Sequence, residues 1–141
     1  MINLHQKLGV EFDNIENTLK ELPIPQACEN CSKLELGGIA ALLHNLYNGI
    51  EQILTYILKY KKILLPKGPS WHRDLINLAV EHKIIENNTA QVIKQYLAFR
   101  HFFIHSYVIH LEPERLEPLI SDVVILHDAF QRDIKNCQKV L

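Results

Sequence analysis

The stretch IAALLHNLYNGIEQILTYIL, residues 39–58, carries the longest apolar pattern in this chain and decides its fold. Its apolar side chains recur at steps of three and four, which is typical of a helix with a wide buried face. Histidine, asparagine and glutamate residues interrupt the stretch well short of the roughly 20 clean apolar residues that a membrane span needs. The apolar stripe predicts a core helix of a soluble protein and comprises Ile39, Leu42, Leu43, Leu46, Ile50, Ile53, Leu54, Ile57 and Leu58.

The composition is that of one ordinary globular domain spanning residues 1–141. Of the 141 residues, 48% are hydrophobic and 22% are charged, and this length can bury one sizeable core. Fifteen Lys and Arg residues face sixteen Asp and Glu residues, so the net charge of −1 gives no general attraction for nucleic acid. The first residues lack a basic start followed by an apolar run, so we expect no secretion signal and a cytoplasmic location.

Helical periodicity continues through most of the chain, and no run of alternating strand pattern is found. The sequence therefore predicts an all-α fold, an antiparallel bundle of four to five helices. Gly37 and Gly38 are expected to kink the second helix or to allow a close helix approach. Prolines, glycines and capping residues place the helices at about 2–21, 26–62, 71–83 and 89–110, with the last from Pro113 or, more securely, Pro118 to about 139.

The three cysteines give only a weak chemical signal. Cys28 and Cys31 form one C-x2-C pair, while Cys137 lies more than a hundred residues further along. A structural zinc site of this type needs a second pair of ligands. We interpret the cysteines as structural.

The segment FRHFFIHSYVIHLEPER, residues 99–115, places polar groups in an otherwise apolar run. If the fourth helix continues to residue 110, Arg100 and Tyr107 lie within about 20° of each other around its axis, and His105 lies about 140° from Arg100. One helix then does not align the arginine with the histidine. Either the long arginine side chain reaches round part of that angle, or two copies of the chain meet so that Arg100 of one approaches His105 of the other. The second solution predicts a homodimer.

These residue types suit transfer at phosphorus without a metal or other cofactor. One His105 can take a proton from a ribose 2′-hydroxyl, while a second, protonated copy gives a proton to the leaving 5′-oxygen. The guanidinium fork of Arg100 matches phosphate oxygens and stabilises the extra negative charge of five-coordinate phosphorus. The expected activity is that of a metal-independent endoribonuclease.

The spacing of Arg100, His105 and Tyr107, with polar His101 after the arginine, resembles the signature of HEPN ribonucleases and of their HepT toxin branch. Further blocks resemble successive parts of HepT-like domains, namely HNLYNGIEQIL (44–54), LLPKGPSWHRDLI (64–76), YLAFRHFFIHSY (96–107) and LEPERLEPLI (111–120). The first 35 residues match less clearly.

The resemblance implies a homodimeric helical bundle that cuts RNA between protomers, with tRNA as a candidate substrate and with Arg100 and His105 catalytic. It also implies a partner, a minimal nucleotidyltransferase antitoxin that transfers AMP from ATP to Tyr107. Such an ester would occupy the anion site and silence the toxin. Val108, Ile109 and His110 depart from the expected residues after the tyrosine, so partner contacts there are expected to differ.

Several residues leave alternatives open. His101 either orients the site or fills a packing gap, and His110 suits a solvent or helix-end position. Glu51 is a candidate site-orienting residue, expected to pair with an arginine or a helix end near the motif and less readily to take part in catalysis. The basic segment 56–73 either binds RNA or forms a solvated helix end with a core tryptophan; its candidate RNA-binding residues are Lys59, Lys61, Lys62, Lys67, Trp71 and Arg73.

Two other functions compete with the ribonuclease interpretation. The first is a catalytically silent HEPN module that serves a nucleotidyltransferase as an accessory subunit. The second is a metal-binding bundle, since His101 and His105 are four residues apart and His44, His72 or His127 can supply a third ligand. The sequence contains no H-E-x-x-H or E-x-x-H pattern, so no metal site is predicted.

Overall fold

The computed structural model describes residues 2–141, which form five α-helices and two short 3-10 helices. The described residues contain no strand, so the predicted all-helical bundle is confirmed. Within the same residues no helix is both long and apolar enough to cross a membrane. The helices are α1 (Leu4–Glu21), α2 (Lys33–Tyr60), α3 (Trp71–Glu81), α4 (Asn87–Ile104) and α5 (Pro113–Gln138), and the 3-10 helices are Pro25–Asn30 and Val108–His110.

Helix α2 is the central element of the bundle. It packs against each of the other four α-helices, and twelve of its 28 residues are buried. The apolar stripe predicted from residues 39–58 is the buried face, except that Leu42 is only half-buried. Burial of a Leu or Ile side chain contributes about 1.5–3 kcal/mol, so this one helix supplies a large share of the driving force for folding.

The second helix starts later than residue 26, where the sequence pattern had placed it. Ser32 begins α2 through a capping box: its hydroxyl oxygen accepts a hydrogen bond from the Glu35 backbone N–H at 3.1 Å, and the Glu35 carboxylate accepts one from the Ser32 N–H at 2.9 Å. These hydrogen bonds lower the pKa of Glu35. The capping residue Ser32 needs extended backbone, so a helix cannot continue through it from residue 26. Residues Pro25–Asn30 therefore fold as a separate 3-10 turn.

The prediction that the fourth helix runs to residue 110 is wrong, because α4 ends at Ile104. His105 is the residue that caps its end, and Tyr107 has extended backbone. The following segment packs on the start of α2 instead: the ammonium group of Lys33 donates a hydrogen bond to the Leu111 carbonyl at 2.5 Å and lies 3.2 Å from the Glu112 carboxylate. Tertiary contacts thus override the local helical pattern.

The remaining helix ends agree better with the sequence. Helix α5 begins at Pro113, so the start at Pro118 that the sequence analysis preferred is wrong, and Pro118 lies inside the helix. Helix α4 is held at its start by Asp133, a buried residue whose carboxylate accepts a hydrogen bond from the Glu86 N–H at 3.0 Å. Near its middle, the buried Tyr96 hydroxyl donates to the Leu119 carbonyl at 2.6 Å. Burial, followed by the charge of Asp122, raises the pKa of Tyr96, so its hydroxyl stays protonated. These contacts fix α4 relative to α5.

Two glycines of α2 allow other elements to approach closely. A Cβ atom at Gly37 would lie 2.9 Å from Cγ1 of Val108, and one at Gly49 would lie 2.8 Å from Cγ1 of Ile15 in α1. Both distances are shorter than van der Waals contact allows. Helix α2 runs without interruption through both glycines, and the close approach, one of the two alternatives, occurs at Gly37 but not at Gly38.

Replacing Gly49 by alanine is expected to lower the free energy of unfolding by about 1–2 kcal/mol. Alanine favours the helix by roughly 0.5–1 kcal/mol, but forcing a methyl group against buried Ile15 costs about 1–3 kcal/mol. Gly38→Ala is the matched control, because nothing lies within 4 Å of its added Cβ, and it should stabilise the protein. Urea denaturation measures both; equal stabilisation by both changes would contradict the close packing at Gly49.

The three cysteines are free thiols, and Cys28 and Cys137 are buried. Burial, followed by the charges of Cys31 and Glu117, raises the pKa of Cys28. Burial also raises the pKa of Cys137, against a smaller opposing effect of Lys61. Since thiolates are the reactive form, both side chains behave as small apolar core residues.

Candidate functional site

A basic cleft lies between the start of α3 and the second half of α4. Its volume is about 670 Å³. Five of the residues that line it carry basic side chains, and none is acidic, so an anion is the ligand it favours by charge. We call this site the basic cleft, and its lining residues are Pro69, Ser70, His72, Arg73, Lys94, Leu97, Ala98, Arg100 and His101.

Arg100 is the predicted site residue at the centre of this cleft. Its side chain is half-buried, and its Nε atom is buried with no hydrogen-bond partner. Among residues 2–141, no carboxylate forms a salt bridge with it. Burying an unpaired charge is costly, and native guanidinium groups in such positions normally bind an anion. The arrangement therefore leaves the guanidinium available to a ligand.

Glu51 is paired with side chains of a tyrosine and a histidine, and not with the arginine or the helix end that we expected. Its carboxylate accepts a hydrogen bond from the Tyr47 hydroxyl at 2.8 Å and lies 2.6 Å from Nδ1 of His72, which is in the first turn of α3. The Glu51 and His72 side chains are 13% and 19% exposed, so this contact is largely shielded from water. The sequence identified Glu51 as a site-orienting candidate, and the residue that it contacts in the basic cleft is His72.

Tyr47 and His44 complete the polar cluster on α2. Burial, followed by the charge of Glu51, raises the pKa of Tyr47, so its hydroxyl is a permanent hydrogen-bond donor. Burial and the nearby charge of Arg100 lower the pKa of His44, against a smaller opposing effect of Glu51. His44 is therefore neutral at pH 7, and its ring lies 5.7 Å from that of Phe103.

Sequence reasoning did not assign Tyr47 to the site and treated His44 only as a spare metal ligand. It counted His72 both as a spare metal ligand and among the basic groups of the segment 56–73 that can hold a phosphate backbone. The sequence does contain a signal for Tyr47 and His44, since residues 44 and 47 share one helix face with Glu51. His72 gave no comparable signal, because only the packing of α3 against α2 and α4 brings it to Glu51 and Arg100.

His101 and His105 are neighbours at the end of α4. Their ring centroids are 4.5 Å apart with an interplanar angle of 58°, and both side chains are exposed. His101 lines the basic cleft, so it connects the cleft to His105. Because His105 lies beyond the helix end, the angle of about 140° derived for a continuous helix does not apply to it. The geometric argument for two copies is thereby removed.

Tyr107 lies on the surface, in the segment between α4 and the second 3-10 helix. Its side chain is 74% exposed, and its ring makes an edge contact with His110 at a centroid distance of 5.8 Å. His110 is exposed and lies at the end of the 3-10 helix, which agrees with the solvent or helix-end position expected for it, although that helix is not α4. The Tyr107 hydroxyl is accessible to a modifying enzyme.

The basic segment 56–73 divides into two parts. Trp71 is not a core residue: it is 37% exposed, and its ring lies 3.7 Å from that of His72. Trp71 and Lys67 line a second cleft, of about 380 Å³, which also includes Glu51, and Arg73 lines the basic cleft. Three exposed residues at the end of α2 line neither cleft, namely Lys59, Lys61 and Lys62.

Metal-ligating side chains are not clustered in the part of the chain that the structure describes. No group of three or more His, Cys, Asp or Glu residues there could hold a metal ion. The pair His101 and His105 is close enough to share a ligand, but none of His44, His72 and His127 joins it to form such a group.

Comparison with known proteins gives one match. A family model described as HepT-like protein matches residues 38–141, about three quarters of the chain. No curated protein and no solved structure matches. The matched region begins in the first turns of α2 and contains the whole basic cleft, His105 and Tyr107.

Proposed function

Because this chain belongs to the HepT-like family, we propose that it is the toxin of a HEPN-type toxin–antitoxin pair and a metal-independent endoribonuclease. The observation that carries the proposal is Arg100: a half-buried guanidinium without a carboxylate partner in a cleft lined by basic residues. RNA supplies the phosphodiester that such a site attracts. Since tRNA and ATP are found in the cytoplasm, the proposal places the protein there.

The proposed chemistry uses Arg100 and His105 as catalytic residues. An imidazole of His105 takes the proton of the ribose 2′-hydroxyl as O2′ forms a bond to phosphorus. The bond from phosphorus to O5′ breaks, and O5′ receives a proton from a second, protonated His105. The products are a 2′,3′-cyclic phosphate and a 5′-hydroxyl. Arg100 stabilises the added negative charge at phosphorus, and His101 orients the neighbouring His105 ring.

A homodimer is part of this proposal, since two imidazoles in opposite protonation states are required. Its support is the exposed apolar surface beside His105, where Ile104, Val108 and Ile109 are 49%, 44% and 66% exposed. Three large apolar side chains within six residues are unusual for a surface that faces only water. A second copy that covered this surface would bring the two His105 residues toward one another.

The RNA contacts outside the scissile phosphate are proposed for Trp71, Lys67 and Arg73, which line the two clefts. An exposed tryptophan ring offers a face on which a base can stack. Lys59, Lys61 and Lys62 lie further off and are proposed to contact the phosphate backbone. RNA binding should weaken as salt rises, with a shallow slope because only a few phosphates are contacted.

The test is an RNA degradation assay with the purified protein, free of any partner. The proposal predicts cleavage of tRNA that is unchanged by EDTA and a fragment that ends in a cyclic phosphate. Loss of cleavage with EDTA would support the metal-binding alternative. If intact-mass measurement shows that the protein carries no modification and it still cleaves no RNA, the accessory, catalytically silent module is favoured.

Tyr107 is the proposed AMP acceptor, and the proposed partner is a minimal nucleotidyltransferase antitoxin. Tyr107→Phe should abolish the mass increase of one or more AMP units after coexpression with the antitoxin, because only the acceptor oxygen is removed. The ring is 74% exposed, so stability should stay within about 0.5 kcal/mol. Tyr60→Phe, an exposed tyrosine at the end of α2, is the control and should leave the mass increase intact. Undiminished modification of the Tyr107 variant would refute the assignment.

A further inference from the structure

The geometry of the basic cleft points to a second residue, besides Arg100, that binds phosphate. We propose that His72, held by Glu51, binds a phosphodiester group through its Nε2 atom, on the same protomer as Arg100. The inference rests on the proposed function in one respect, since RNA is taken as the source of the phosphate.

The first step concerns the orientation of the imidazole ring. Nδ1 of His72 lies 2.6 Å from the Glu51 carboxylate, which accepts its proton in a hydrogen bond. The carboxylate is itself fixed by the buried Tyr47 hydroxyl at 2.8 Å. A carboxylate on one ring nitrogen sets both the tautomer and the direction of the other nitrogen. The Trp71 ring, tilted by 31° with its centroid 3.7 Å from that of His72, restricts rotation of the imidazole further.

The second step concerns the free nitrogen. The two ring nitrogens of histidine point in diverging directions, so Nε2 is directed away from Glu51. Within residues 2–141 it has no hydrogen-bond partner, although His72 is only 19% exposed. Glu51 lines the smaller cleft, whereas His72 lines the basic cleft together with Arg100. An oriented, unpaired imidazole nitrogen and an unpaired guanidinium therefore share one cavity.

The third step is the choice of ligand. Arg100 supplies donors in a planar fork, and His72 supplies a single directed nitrogen that donates when the ring is protonated. Arg73 and Lys94 add positive charge to the same cavity, and no acidic side chain lines it. A tetrahedral phosphate has enough oxygens to satisfy the fork and the imidazole together. The smaller cleft beside Trp71 offers adjacent space for a base.

The test measures binding, not cleavage. The probe is a 2′-O-methyl RNA oligonucleotide, which lacks the nucleophilic 2′-hydroxyl, titrated against the ¹⁵N-labelled full-length protein. We expect the Nε2 resonance of His72 to shift on binding and the Kd of His72→Ala to rise by about tenfold, the usual loss for one charge-assisted hydrogen bond. His82→Ala, at the opposite end of α3 and outside the cleft, should bind like the wild type.

Further arms separate the source of the phosphate and the role of Glu51. Inorganic phosphate and AMP alone should bind more weakly than the oligonucleotide; tighter binding of AMP would identify a nucleotide, not RNA, as the ligand and overturn the proposal. Glu51→Gln should change the tautomer signature of the His72 ring nitrogens and weaken oligonucleotide binding while circular dichroism stays helical. If His72→Ala unfolds, His72→Gln replaces it.

The outcomes distinguish this inference from the proposed function. If the protein binds the oligonucleotide through His72 but cleaves no RNA, the phosphate site is supported and the proposed ribonuclease activity is refuted. A protein that cleaves RNA, with His72→Ala and wild type having Kd values within twofold, would retain the ribonuclease and overturn the role of His72.

Discussion

Replacing His105 by alanine is expected to reduce RNA cleavage by about 10²–10⁴-fold, the contribution usual for a general acid–base residue. In the proposed homodimer the change removes both the group that accepts the 2′-hydroxyl proton and the group that protonates the leaving oxygen. The side chain is exposed, and the residue caps α4 through its backbone N–H, which alanine keeps, so the free energy of unfolding should change by no more than about 0.5 kcal/mol. Single-turnover cleavage of a labelled tRNA measures the effect.

The matched control is His110→Ala, five residues further along. His110 is also exposed and lies in the same surface segment, but it contacts Tyr107 and does not contact His101. Removing the His110 side chain should change the cleavage rate by less than about threefold, since substitutions of exposed residues usually have small effects. Equal loss in both variants would indicate that the segment as a whole, and not the His105 imidazole, supports cleavage.

Replacing Arg100 by lysine is the second change with a large expected effect, a loss of cleavage of about 10²–10³-fold. Lysine keeps the charge but loses the planar fork that meets two phosphate oxygens at once. Because Arg100 has no hydrogen bond or salt bridge within residues 2–141, its replacement breaks no such contact in the protein, and the melting temperature should be nearly unchanged. Relief of an unpaired buried donor can even stabilise the fold slightly.

Arg115→Lys provides the comparison. This arginine lies over the Phe102 ring at 3.7 Å, outside the basic cleft, so the same change weakens a cation–π contact worth about 0.5–2 kcal/mol. It should lower stability and leave cleavage intact. The opposite pattern, with stability lost in Arg100→Lys and cleavage retained, would identify Arg100 as a structural residue.

The buried half of this molecule was predictable from the sequence, because apolar spacing is a local signal. The stripe on residues 39–58 is the core face of α2, and the prolines and capping residues located most helix ends to within a few residues. The failures lie where long-range contacts decide the backbone. The local sequence FFIHSYVIH does not indicate that this segment packs on Lys33 and Gly37, about seventy residues earlier, instead of continuing the helix.

The site shows the same division. Arg100 and Glu51 were identified from their chemistry, since charged groups inside apolar helices need a reason to be there. Their true surroundings were not, because His72 reaches Glu51 only through the packing of α3 on α2. Candidate functional residues can be identified from the local sequence. The contacts between them depend on how helices that are distant in sequence pack together.

The segment Ser106–His110 lies against Gly37 at the start of α2, outside both the long helices and the basic cleft. A surface strap of this kind can change its sequence without repacking the core, provided that the glycine and the Lys33 contact are kept. Positions of the strap outside the dimer surface proposed for Val108 and Ile109 can therefore diverge, so that duplicated copies of the proposed toxin would be recognised by different silencing enzymes. The strap is thus also a natural place to graft a foreign acceptor peptide, which would put the proposed ribonuclease under the control of a modifying enzyme of choice.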